Sequence, residues 1–156
     1  MAEDDQALLT RTSPPDYRLI FDAMPGMCLI LDTTFKIVAQ NEEHARATLT
    51  TGMSVIGKAL WEAFPDNPAD LYESGISAVR QSLLNVLNTR KRDVMPIIRY
   101  DVRPIGGAFE ERYWVITNSP VLGSDGFVHW IINRAEDVTE LVKLRKSAEA
   151  RQNVAP

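Results

Sequence analysis

The chain has 156 residues, a formal charge of −4 and 45% hydrophobic residues, enough for one globular domain with a single core. The acidic balance argues against a nucleic-acid partner, whose recognition rests on clustered Lys and Arg. No run of about 18 apolar residues occurs, so no membrane span is expected.

The opening MAEDDQALL is acidic and lacks the apolar centre of a secretory signal. Residues 2–11 can form a short helix carrying Leu8 and Leu9, or a frayed tail. Pro14 and Pro15 then break the chain. Residues 16–24 place Tyr17, Ile20, Phe21 and Met24 on one helical face, stopped by Pro25-Gly26. The apolar runs 27–31 and 35–39, joined by Asp32-Thr33-Thr34, predict a hairpin. Cys28, the one cysteine, lies in the first of these strands. It excludes an internal disulfide, suits a reducing cytoplasm, and reads as inert packing rather than a reactive thiol.

Asn41 can cap a helix over 42–48, with Glu42 and Glu43 near its positive end. His44 on that helix reads as a solvated surface histidine. Residues 65–68 form a loop by composition. The long helix over 71–89 carries Ile76, Val79, Leu83, Val86 and Leu87 on one face and no histidine. Three further strands are expected over 94–102, 109–117 and 127–132, with Asp125-Gly126 the stronger turn signal. In these strands Arg99, Arg103, Glu110 and Arg112 form a solvated cross-strand ladder, or Arg99, Tyr100 and Tyr113 turn inward to hold an acidic small molecule. His129 and Trp130 point to opposite faces; His129 reads as a half-buried sheet residue and Trp130 as core or pocket wall.

The last strand hands over to a charged helix. Asp137 is a good N-cap and, with Glu140, spells a D-x-x-E capping box. Leu141, Leu144 and Ala148 then form a narrow apolar seam. A helix of about 13 residues is marginal alone in water, so a partner is expected. That seam favours a piece cut from a longer protein over a stand-alone module.

No phosphate-cradling or dinucleotide glycine motif and no zinc-type cysteine–histidine cluster is present. Three stretches resemble the PAS family of sensory domains. They are F-x-A-M-P-G-M-x-L-I-L-D-x-x-F-x-I-V-x-x-N at 21–41, G-K-x-L-x-E-x-F-P at 57–65, and E-D-V-T-E at 136–140. The resemblance implies an α+β PAS-like fold: a five-stranded antiparallel sheet with short helices on one face, plus flanking helices. The expected division is a tail or cap helix at 1–15, the PAS-like domain at 16–137, and a signalling helix and tail at 138–156.

The resemblance also implies a non-catalytic cytoplasmic sensor of the two-component kind, which binds a small molecule or serves as a dimerisation relay. In that reading Asp137, Thr139 and Glu140 pass the signal to an effector such as a histidine kinase, a diguanylate cyclase or a transcription regulator. Val79, Leu83, Arg99, Tyr100, Tyr113 and Trp130 are the candidate pocket residues. Leu8, Leu9, Leu141 and Leu144 are the candidate homodimer contacts. No cofactor is predicted. A haem or flavin sensor is the alternative, although the long helix lacks the histidine that haem-binding members use and the flavin-photosensing N-C-R-F-L-Q string is missing. A small α+β cone enzyme of the ketosteroid-isomerase kind is a further alternative, with Asp101 as base and Tyr100 or Tyr113 as stabiliser.

Overall fold

A computed structural model describes residues 14–51, 53–70 and 75–153. Leu8, Leu9, the helix expected over 2–11 and the start of the long helix at 71–74 lie outside the described residues.

Helix α1 (Tyr17–Ala23) begins where Asp16 Oδ1 accepts from the amides of Arg18 and Leu19 at 3.0 and 3.2 Å. Strands β1 (Met27–Asp32) and β2 (Ile37–Gln40) form the expected hairpin. Its turn is held by Asp32, whose Oδ1 accepts from Thr34 N, Thr34 Oγ1 and Lys36 N at 2.8, 2.7 and 3.0 Å. Helix α2 (Glu42–Ala47) is capped by Asn41, and the same side chain accepts from Cys28 N and donates to Gly26 O. This fully buried asparagine ties helix to sheet. Helix α3 (Leu60–Ala63) and helix α4 (Gly75–Thr89) follow.

The next strand comes as two short pieces, β3 (Asp93–Val94) and β4 (Ile98–Arg99), rather than one run over 94–102. Pro96 has no amide to give the ladder, so pairing is interrupted there. Both pieces pair with the edge of β5 (Tyr113–Leu122), which in turn pairs along its length with β6 (Val128–Asp137). The sheet is antiparallel, in the order β2-β1-β6-β5-β3 with β4 also on β5, so it counts six strands instead of five. Gly126 supplies a left-handed residue (φ 76°) to the β5–β6 turn. Helix α5 (Thr139–Gln152) then leaves the end of β6.

Strand alternation divides the residues between two faces. Trp114, Ile116 and Asn118 of β5 and Ile131, Asn133 and Ala135 of β6 are buried on the face that α4 covers with Val79, Leu83 and Val86. The opposite face carries Trp130, Ile132 and Arg134, all exposed. Trp130, 45% accessible, is therefore neither core nor pocket wall. His129 is also exposed; it sits beside the turn, 2.9 Å from Asp125 Oδ2, rather than half-buried in the sheet.

Candidate functional site

The inner sheet face, α2 and α3 enclose a cavity of about 60 Å³. Leu29, Leu60, Phe64, Val102, Trp114 and Ala135 make its apolar wall, with Trp114 fixed by an Nε1–H bond of 2.7 Å to Tyr100 O. Four polar side chains join them: His44, Thr48, Tyr100 and Asn133. The Tyr100 hydroxyl donates to Phe64 O, and burial, aided by the Asp66 charge, raises its pKa. Gly75 explains how α4 comes so close: a Cβ there would lie 2.6 Å from the Tyr100 ring.

His44 is buried, 4% accessible, rather than solvated. Its ring faces Gln40 Nε2 at 3.1 Å and meets the Phe64 ring edge-on at 5.5 Å. Burial pushes its pKa down to about 4, so the imidazole is neutral near pH 7. Asn133 belongs to a buried chain: its Nδ2 donates to Asn118 Oδ1 at 2.7 Å, and Asn118 Nδ2 donates to Ser82 Oγ at 2.9 Å. Ser82 Oγ donates to Asp93 Oδ2 at 2.5 Å. A polar thread thus runs from the sheet edge to the cavity wall. It is legible in the alternation, since Asn118 and Asn133 fall at the inward positions of their strands.

Thr48, Phe64 and Val102 separate this cavity from an outer cleft of about 190 Å³, lined further by Met53, Ile105 and Phe109. Beside it, Arg99 bonds Asp101 in a two-pronged contact of 2.9 Å per bond and also reaches Asp70 at 3.3 Å and Glu111 at 3.7 Å. Asn67 Nδ2 donates to Asp101 at 2.8 Å. Burial alone would raise the Asp101 carboxyl, but bonds from Arg99, Asn67 and Arg112 N, with the Arg99 charge, hold it below the ordinary carboxylate range. A carboxylate so fully engaged is a poor base. Tyr113 looks away toward α5 and Tyr100 is committed to Phe64, so the isomerase-like constellation is not assembled.

At the joint, Asp137 is the last residue of β6 and Val138 occupies the N-cap position without a side-chain cap. Asp137 Oδ1 still accepts from Thr139 N at 2.9 Å and Thr139 Oγ1 at 2.5 Å, although the helix starts one residue later than expected and Asp137 stands before the N-cap position. Glu140 closes no capping box and instead pairs with Lys143 at 3.6 Å. Strand pairing explains the shift, because Asp137 is still held opposite Trp114 in the ladder. The fixed point is Tyr113: its N–H donates to Thr139 Oγ1, its C=O accepts from Val138 N, and its hydroxyl accepts from Lys146 Nζ at 2.6 Å.

Of the six expected pocket residues, only Tyr100 lines the cavity. Val79 and Leu83 sit in the main core, Arg99 in its ion cluster, Tyr113 against α5, and Trp130 on the outer face. Arg112 pairs with Glu110 at 2.8 Å within one segment rather than across strands, and Arg103 lies over the Phe109 ring, so these residues do not form the expected cross-strand ladder. Cys28 is buried, and burial, with Glu43 nearby, raises its thiol pKa against the opposing charge of Arg134, as for an inert thiol. Leu141 and Leu144 are exposed, 45% and 68% accessible. Among the described residues no group of three or more His, Cys, Asp or Glu could hold a metal, and no helix is long and apolar enough to cross a membrane.

The family described as the PAS fold matches residues 21–143. This chain belongs to that family. The PAS domain of BvgS from Bordetella pertussis is similar at 20% identity, TM-score 0.59, covering 96% of this chain and 99% of that one. A sensory box sensor histidine kinase from Vibrio cholerae is similar at 19% identity and TM-score 0.53, covering 88% and 95%. An RNA-binding light-oxygen-voltage receptor is similar at 19% identity and TM-score 0.62, covering 92% of this chain and 41% of that one. At these identities the likeness is one of fold. Comparison with curated proteins gives no match.

Proposed function

We propose that this chain is a non-catalytic cytoplasmic sensor module. In this reading a small molecule occupies the cavity, and its presence is passed through β5 and β6 to α5 and on to an effector. One observation carries the reading: the cavity wall and the anchor of α5 are consecutive residues. Trp114 lines the cavity while Tyr113, beside it, holds Val138, Thr139 and Lys146. On β6, Asn133 and Ala135 face the cavity, four and two residues before Asp137, which braces Thr139. A strand is stiff along its axis, so a shift of the wall is carried to the helix base instead of being absorbed. The likeness to a sensor histidine kinase makes a kinase the favoured effector. The exposed Leu141 and Leu144, with Leu8 and Leu9, are the surfaces through which two copies would pair.

Haem and flavin do not fit this cavity as it stands. Its volume of about 60 Å³ is well under the ~300–1,000 Å³ of drug-sized sites, and α4 carries no histidine. Native mass spectrometry of the protein as purified, with a visible spectrum, tests the reading. A retained or titratable small molecule and no strong visible band are expected. A stoichiometric Soret or flavin band would favour the cofactor alternative, and a dimer that takes up nothing would favour a pure relay.

A further inference from the structure

The chemistry of the cavity narrows the ligand class, a step that rests on the sensing role proposed above. The direction of the buried polar thread fixes what Asn133 offers. A carboxylate can only accept, so Ser82 gives its proton to Asp93 and must accept from Asn118 Nδ2. Asn118 Oδ1 therefore turns to Asn133 and takes a proton from its Nδ2. Asn133 Oδ1 is left for the cavity it lines, without a partner among the described residues.

His44 offers the complement. Gln40 Nε2 donates to its Nδ1, which leaves the ring proton on Nε2. No hydrogen bond is made by this Nε2 among the described residues, and the buried ring lines the cavity. With the Thr48 and Tyr100 hydroxyls already given to His44 O and Phe64 O, the site offers one free acceptor and one free donor. No Asp, Glu, Lys or Arg lines it, so an ionic head would be buried without a counter-charge. Size sets a further limit. At about 60 Å³ the cavity is smaller than the ~150 Å³ engineered void that admits benzene. A larger ligand must extend past Phe64 into the outer cleft, where Met53, Ile105 and Phe109 are apolar.

We propose that the cavity takes an uncharged head group with one hydrogen-bond donor, for Asn133 Oδ1, and one acceptor, for His44 Nε2, carried on a short apolar tail that leaves past Phe64. A primary amide of a medium-chain acid has this chemistry. The matched probes are hexanamide, hexanoate and hexylammonium, titrated into the whole chain and followed by the backbone amide resonances of Trp114 and Ala135, with xenon as a polarity-blind cavity probe. Hexanamide should shift both resonances and bind about tenfold or more tightly than either ion. Asn133→Leu, checked for native amide dispersion, should lose about tenfold in hexanamide affinity and keep its xenon response; His44→Gln serves as the second variant if Asn133→Leu does not fold. Equal or tighter binding of an ion would overturn the ligand class. A xenon response with none from hexanamide would also overturn it while leaving the cavity as a site. Silence toward all four probes would overturn the cavity reading itself.

Discussion

The neutral, buried His44 makes stability depend on pH in a window that no other shifted group shares. Its folded pKa is pushed down by burial from 6.5 to about 4. Between those values the unfolded chain takes up a proton that the folded one refuses, so acid favours unfolding. The contribution is fully present above the unfolded pKa, declines as pH falls, and is gone once the folded pKa is passed. At 1.36 kcal/mol per unit, the loss is about 3 kcal/mol, a large share of a domain stability of ~5–15 kcal/mol. Asp32 and Asp101 are both shifted below the ordinary carboxylate range, so their losses fall at lower pH and leave this window to the histidine. Urea unfolding between about pH 7 and pH 4 is the assay, with His44→Gln as the partner that keeps a polar side chain but cannot titrate. The wild type should lose about 3 kcal/mol relative to the variant across the range. Parallel pH profiles, or a His44 titration midpoint near 6.5 by NMR, would show that burial does not hold His44 neutral.

Other substitutions probe the wall, the joint and the outgoing helix. Gly75→Ala should cost about 1–3 kcal/mol by overpacking, since its new methyl meets the Tyr100 ring at 2.6 Å, and chemical denaturation would register the loss. Asp137→Ala removes the two bonds to Thr139 and should cost about 0.5–2 kcal/mol; hydrogen exchange should quicken after Val138 with protection in β6 unchanged, and global unfolding would instead make Asp137 a core residue. Leu141→Glu together with Leu144→Glu should shift a homodimer toward monomer in sedimentation without lowering the domain's thermal midpoint, because both side chains are exposed.

Local patterns made the fold legible. Asn41 caps the helix it was expected to cap, the helix expected over 16–24 forms behind an Asp16 cap, and Asp32 folds its turn. The elements missed are those where the neighbours decide. Pro96 splits a strand, and the ladder partner Trp114 keeps Asp137 in β6 and delays the helix by one residue. The site was harder to read, because burial of a polar residue is a property of packing. His44 has the same sequence surroundings as a surface histidine until Phe64 and Gln40 close over it. Trp130 reads as core by type, yet it is out of phase with the buried Ile131 and Asn133, and alternation sends it outward. That same alternation marks Asn118 and Asn133 as inward polar residues, the signal by which they could have been found.

Coupling of the cavity to α5 through β5 and β6 can be tested without knowing the ligand. Ala135→Val adds volume to the cavity wall from the middle of β6. Amide hydrogen exchange of this variant, compared with the parent chain, is the measurement. Altered exchange at the base of α5, around Thr139 to Val142, with β2 and the far end of α4 unchanged, is the predicted result. Exchange unchanged in α5 while Trp114 and Asn133 respond to the added methyl groups would contradict it.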